Sequence, residues 1–191
     1  MSKFKKYSDL FAEGGKFDIP ATATLGFTFK PNAAVAVSFD VQRTWYNDVA
    51  SVGNPIQNIF RCPTAGQGGT DVESCLGGSR GAGFGWQNMT TYKLGLRWQM
   101  DNDWAWRFGV SHGTQPIPTS QMTFNILAPG VIENHVALGL SHRNGDRGEF
   151  NFALTFAPSK SVHGLSNFDP TQTVEFKMHQ LDLEFGYAWK P

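Results

Sequence analysis

The chain has 191 residues, enough for one domain, and its 40% hydrophobic and 17% charged residues exclude a disordered segment. Sixteen Lys and Arg balance sixteen Asp and Glu, so no net charge draws it to nucleic acid or anionic lipid. No run of about 18 apolar residues exists, which excludes a transmembrane helix but not a barrel, whose alternating strands average out to a mean hydropathy of −0.30.

Met1-Ser2-Lys3-Phe4-Lys5-Lys6-Tyr7 is basic but leads into no apolar core, so it does not read as a secretory signal peptide; an exported protein lacking one is expected to be a fragment. The first strand sets Ile19, Ala21, Ala23, Leu25, Phe27 and Phe29 on one face, with Thr22, Thr24, Gly26, Thr28 and Lys30 on the other. After a turn at Lys30-Pro31-Asn32, Ala33, Val35, Val37, Phe39 and Val41 oppose Ser38, Asp40, Gln42 and Thr44 as far as Trp45-Tyr46. The pattern then stops. Residues 47–88 are rich in Gly, Pro, Asn and Ser and read as a long loop. Cys62 and Cys75 both lie in it. A disulfide between them is expected, closing a loop worth about 3 kcal/mol in chain entropy. Two free thiols are the alternative, and a zinc site lacks two further ligands at the usual spacing.

Alternation resumes with Tyr92, Leu94, Leu96, Trp98 and Met100 against Thr91, Lys93, Gly95, Arg97 and Gln99, then turns at Asp101-Asn102. Trp104, Trp106, Phe108 and Val110 form the next apolar face. Residues 114–132 read as a second loop, containing a short alternating piece, Met122, Phe124 and Ile126. Val136, Leu138 and Leu140 lead through a hairpin turn at Asn144-Gly145-Asp146-Arg147-Gly148 to Phe150, Phe152, Leu154 and Phe156. A third loop is expected over 158–172. The last strand carries Leu181, Leu183, Phe185, Tyr187 and Trp189. Val174, Phe176 and Met178 have the other parity, which predicts a bulge near His179.

Seven strands with short connections (31–32, 101–102, 144–147) alternating with long ones form the layout of a bacterial outer-membrane barrel, whose short turns are periplasmic and long loops extracellular. The apolar faces are nearly free of charge, Arg43 excepted, whereas the opposite faces hold Lys30, Asp40, Lys93, Arg97, Arg107, Arg143, Asp182 and Glu184. Aromatic residues gather at strand ends: Phe29, Trp98, Trp104, Phe150, Tyr187 and Trp189 at one side, Trp45, Tyr46 and Tyr92 at the other. The expected fold is an all-β, antiparallel transmembrane barrel with residues 1–191 as one partial domain. Its wall faces lipid and its lumen carries a lining in which Asp40, Asp182 and Glu184 offset Lys93, Arg97 and Arg107. Seven strands leave two unpaired edges, which a bilayer does not tolerate, so closure requires further strands or self-association. A soluble or membrane-anchored β module that binds without transporting is the alternative.

Gly81-Ala82-Gly83-Phe84-Gly85 lacks the Gly-Lys-Ser/Thr ending of a phosphate cradle and precedes a strand. His112, His135, His142, His163 and His179 have no metal-helix spacing, and no nucleophile with a base can be nominated, so neither catalysis, metal nor cofactor is expected.

The strings "LFAEGGKFDIPATATLGFTFKP", "DVQRTWYNDVASVGNP", "GFGWQNMTTYKLGLRW", "WAWRFGVSHGTQPIPTSQMTFNILAPGVIENHVALGLSHR" and "LEFGYAW" resemble the C-terminal half of the FadL-like outer-membrane transporters of long-chain fatty acids and aromatic hydrocarbons, over roughly residues 8 to 189. The resemblance implies the last seven strands of a fourteen-stranded barrel in the bacterial outer membrane, and passive uptake of hydrophobic molecules caught in a groove between extracellular loops. It further implies that the stretch from Tyr7 to Phe17 helps to form that groove, which makes Leu10, Phe11 and Phe17 candidate ligand contacts. Packing of the loop against the rim is the competing role for each.

Overall fold

A computed structural model describes residues 9–145 and 147–189. Tyr7, at the start of the expected groove segment, and Asp146, in the expected hairpin turn, lie outside them. The strands are β1 Thr22–Phe29, β2 Val35–Thr44, β3 Met89–Gln99, β4 Trp104–Gly113, β5 Asn134–Arg143, β6 Gly148–Leu165 and β7 Thr173–Trp189. They pair antiparallel in sequence order as one sheet, with β1 and β7 at its edges.

Turn chemistry sets the register at one end of the sheet. Asn32 Oδ1 accepts from the amides of Ala34 and Val35, both at 2.9 Å, and Asp101 Oδ1 accepts from those of Asp103 and Trp104, both at 2.8 Å. Each side chain substitutes for a backbone turn and starts the next strand at a defined residue. Because the side-chain period is 2, that choice decides which face every later residue occupies.

A single row therefore crosses the whole sheet: Phe29, Val37, Leu96, Phe108, Leu138, Leu154 and Leu183 are successive cross-strand partners. The adjacent row on the other face is Thr28, Ser38, Gly95, Gly109, Ala137, Thr155 and Asp182. One face is thus greasy and the other small and polar. The greasy face has no protein covering it, with Leu25 80% and Phe185 70% exposed. A contiguous apolar surface of that extent is far beyond what a water-facing monomer carries.

Two expectations need correction near the far end of β6 and β7. Residues 158–165, expected within a loop, are strand; the connection is only 166–172. Pro158 had signalled a break, but it falls in a bulge between Ala157 and Lys160, where no ladder N–H is required. The bulge lies opposite His179, with the extra residue on β6 and not on β7.

β7 consequently keeps one parity throughout, and Val174, Phe176 and Met178 share the face of Asp182 and Glu184. What changes is what that face meets. Phe176 and Val162 pack against Ile117, Met122 and Val131 of the 114–133 connection, forming a buried apolar cluster. Meanwhile the greasy face turns polar, with Ser161, His163, Glu175 and Lys177. Lys160, on the inward face, bonds Glu133 at 2.8 Å and ties the same connection to the wall. The alternating piece Met122, Phe124 and Ile126 is a run of short 3-10 turns instead of extended chain, with Met122 wholly buried and Ile126 exposed.

Phe176→Ala is expected to cost about 3–5 kcal/mol, as for a large side chain removed from a packed core, and Leu183→Ala less than half of that. Urea unfolding of the micelle-bound variants measures both; equal costs would contradict the change of polarity along β7.

Candidate functional site

The long connections gather at the end of the sheet opposite the short turns, and the glycine-rich segment 81–86 organises them. Ala12 N donates to Ala82 O at 2.8 Å, Gly83 N to Asn54 O at 3.1 Å, Phe84 N to Ser51 O at 3.2 Å and Trp86 N to Val52 O at 3.0 Å. Such close threading needs glycine. A Cβ on Gly83 would lie 2.5 Å from Ala50 O, and Gly85 has φ +70° with the Gln121 side chain pressed against it.

Asn125, wholly buried, locks the next loop to this segment. Its Nδ2 donates to Phe84 O at 2.7 Å and to Gln121 O at 2.6 Å, and its Oδ1 accepts from Trp86 Nε1 at 2.5 Å. Gln121 Oε1 accepts from Ile56 N at 2.9 Å and its Nε2 donates to Gln57 Oε1 at 2.6 Å. Every buried amide atom named here is satisfied, which makes these loops a rigid body in place of a flexible fringe.

Cys62 and Cys75 are bonded, with Cα atoms 4.7 Å apart. Just after Cys75 come Gly77 and Gly78, whose carbonyls accept from Gly14 N and Glu13 N at 3.0 Å each. The disulfide thereby steadies the segment that bears Phe11. Inside the loop that the disulfide closes, Asp71 accepts from Arg80 Nε at 2.9 Å and Ser74 Oγ at 2.8 Å. The Arg80 hydrogen bond, seconded by Ser74, holds the Asp71 carboxyl far below the ordinary carboxylate range.

What these supports position is a series of phenylalanine rings. Phe17 meets Phe11 at 5.2 Å and Phe84 at 5.9 Å; Phe11 meets Phe84 at 4.8 Å and Phe124 at 5.5 Å. The series continues from Phe124 to Phe168 at 6.3 Å and on to Phe60 at 6.2 Å. Of the residues nominated from sequence, Phe11 is the wedge in the middle at 6% exposure, Leu10 packs beside it half-buried, and Phe17 is open at 52%. Phe84, Phe124, Phe168 and Phe60 were not nominated. Phe84 and Phe168 carry one sequence signal, a large aromatic among Gly, Ser, Asn and Pro, and Phe60 and Phe124 lack even that. The rings meet at tilted and edge-on angles, with Phe11 and Phe124 buried and Phe17 and Phe168 exposed.

The inward face of the strands is different chemistry. Lys93 Nζ donates to Gln42 Oε1 at 2.8 Å, Arg107 Nη1 to Ser141 Oγ at 2.5 Å, and Ser141 to Asn151. The expected offset of cations by Asp40, Asp182 and Glu184 does not take the form of direct pairs. Among the described residues the ion pairs are Arg80–Asp71 and Lys160–Glu133, and Lys93, Arg97 and Arg107 bond amides and a hydroxyl. Arg97 and Arg107 are direct cross-strand partners, and Asp40 leans over Gly26 on a different row.

No protein-family model matches the sequence, and no curated protein does. Solved structures do. The chain is similar to the toluene transporter TodX of P. putida in two crystal structures, with TM-scores of 0.58 and 0.57, at 16% and 19% identity over 90% of this chain and 34% and 35% of those chains. It is also similar to a FadL homologue from Pseudomonas aeruginosa, at TM-score 0.51 and 12% identity over 88% of this chain and 34% of that one.

Two outcomes test the loop assembly. Non-reducing peptide mapping should recover Cys62 and Cys75 in one cross-linked species; alkylation at both would refute the bond. Because the Asp71 carboxyl is depressed in the folded loop, its stabilisation is full above the ordinary value of about 4 and is lost as pH falls below it. The stability difference between the parent chain and Arg80→Met should therefore shrink on acidification below about pH 4; a pH-independent difference would contradict the assignment. The seven strands have the fold of the FadL-type channel barrels and span about a third of the length of the structures they match.

Proposed function

We propose that this chain is the C-terminal part of an outer-membrane barrel that passively takes up hydrophobic compounds, fatty acids or aromatic hydrocarbons by class. The observation that carries the reading is the series of six phenylalanine rings at the loop end of a wall that is apolar outside and polar within. A toluene transporter and a FadL homologue sharing the fold support the kind of ligand.

In this reading the bilayer covers the row from Phe29 to Leu183, the loops over 47–88, 114–132 and 166–172 face the exterior, and the short turns face the periplasm. A charge at the midplane of such a wall costs about 2–4 kcal/mol, which accounts for its absence from that row. An apolar solute leaves water at the rings exposed on Phe17 and Phe168 and is held against Phe11 and Phe84. The lumen, lined by Lys93, Arg97, Arg107 and Asn151, is a poor medium for it.

The edges of β1 and β7 carry unpaired backbone groups, each costing several kcal/mol in hydrocarbon. Closure therefore draws on further strands of a longer chain, or on a second copy. That observation also favours a second reading for the chain by itself: a membrane-anchored module that binds its ligand and transports nothing.

Reconstitution separates the two activities. The chain in bilayers should bind a fluorescent fatty acid, with Phe11→Ala/Phe84→Ala weakening binding by about tenfold, equivalent to about 1.4 kcal/mol, and Phe27→Ala leaving it unchanged. Liposomes holding only this chain should take the probe up no faster than empty ones. Saturable uptake would overturn the requirement for closure, and unchanged binding in the double variant would overturn the role of the rings.

A further inference from the structure

A cleft at the loop end carries hydrogen-bonding groups that capture of an apolar molecule would not use. It spans about 650 Å³ between residues 57–60, residues 119–120 and residues 163–170, a volume within the range of small-molecule sites. Its base is rigid: Ser120 O accepts from Gln57 Nε2 at 3.0 Å and from Asn167 Nδ2 at 2.8 Å, and Asn167 N donates to Thr123 Oγ1 at 2.9 Å. Three connections are thereby held in one arrangement before any ligand arrives, which lowers the ordering cost of binding.

The chemistry around the cleft is selective. No Asp, Glu, Lys or Arg lines it, so nothing there recognises a phosphate, a carboxylate or a metal cation. Most of its exposed lining is carbon, with Phe60, Leu165 and Pro170 among the residues that supply it, as the C–H face of a stacked ring requires. Gln57, Ser120 and Asn167 bond one another or their neighbours, and three further groups keep hydrogen-bonding capacity to spare. The Thr119 hydroxyl and the His163 ring engage no described residue, and the Ser166 hydroxyl accepts from Phe168 N at 3.4 Å and Asp169 N at 3.3 Å while its own proton stays available. Uncharged donors and acceptors beside one aromatic ring match a molecule with hydroxyls on its rim and C–H bonds on its face.

We infer that this cleft binds a short neutral oligosaccharide. The hydroxyls of Thr119 and Ser166 and the His163 ring meet the sugar hydroxyls, and Phe60 supports a pyranose face. His163 lies beyond the bulge at Ala157, where the outer face of β6 and β7 carries Ser161, Glu175 and Lys177 beside it, so the site stands clear of the greasy band and is open to a free glycan or to one carried on a membrane lipid.

The test uses the chain in phosphatidylethanolamine nanodiscs, free of sugar detergents, with trisaccharides of glucose, galactose, mannose and N-acetylglucosamine, each as the free sugar and as its alkyl glycoside. Saturation-transfer NMR should detect saturable binding of at least one, weakened about tenfold or more by Thr119→Val and by His163→Ala, with fatty-acid binding changed less than about twofold. Binding of the free sugar identifies a soluble source, and binding of the alkyl form alone identifies a membrane glycolipid; either supports the site. No saturable binding of any of the eight probes, or undiminished binding in both variants, overturns it. Loss of fatty-acid binding with sugar binding intact would count against the uptake reading and leave this one standing.

Discussion

The structure depends on one face of a sheet that water does not tolerate. From Phe29 on β1 to Leu183 on β7 an unbroken cross-strand row is apolar, and no described element covers it. An ordinary domain would fold a helix or a second sheet over such a face; here both the covering layer and the backbone alternative to pairing are absent. Every backbone group between the edges must then be met by a neighbouring strand, which a meander in sequence order achieves with the shortest connections. The sharp turns at Asn32 and Asp101 follow from that demand, because a slip of one residue would carry the whole apolar row to the other face.

The same constraint explains why polarity reverses at the far end of β6 and β7. Once the chain leaves the greasy band, the outward face has nothing apolar to meet and becomes Ser, His, Glu and Lys. The opposite face, small and polar along the rest of the sheet, acquires Val162, Val174 and Phe176, against which the 114–133 connection docks. The bulge at Pro158 marks the level of the change. Because that docking is fixed by a core and an ion pair, the loops can hold the phenylalanine series beside a cleft that shares Phe60 with it and adds uncharged hydrogen-bonding groups.

The strands and short turns were legible because each depends on residues close in sequence: period-2 alternation, and an Asx side chain capping its own turn. The face assignments for Leu25, Val37, Leu96, Phe108, Leu138, Phe152 and Leu183 follow from parity alone, and the register places all seven together. Residues 158–165 were not legible, since alternation there serves a different environment on each side and proline is read as a break. The grouping of the aromatic rings was legible only at Phe11 and Phe17. Phe11 and Phe17 stand near Phe84 only because Ala12 pairs with Ala82, and near Phe124 only because Asn125 reaches Phe84 O and Trp86. Contacts of that span leave no local signature, and the lumen cations likewise chose amides over distant carboxylates.

The claim on which the rest stands is that the row through Leu96 faces lipid and the row through Gly95 faces water. Single spin labels at residues 94, 95, 96 and 97 of the bilayer-reconstituted chain test it most directly, by their relaxation with oxygen, which concentrates in lipid, and with a water-soluble nickel chelate. The account predicts strict alternation, with 94 and 96 relaxed by oxygen and 95 and 97 by the chelate. Four labels equally open to the chelate would contradict it, and would return the chain to the class of soluble β proteins.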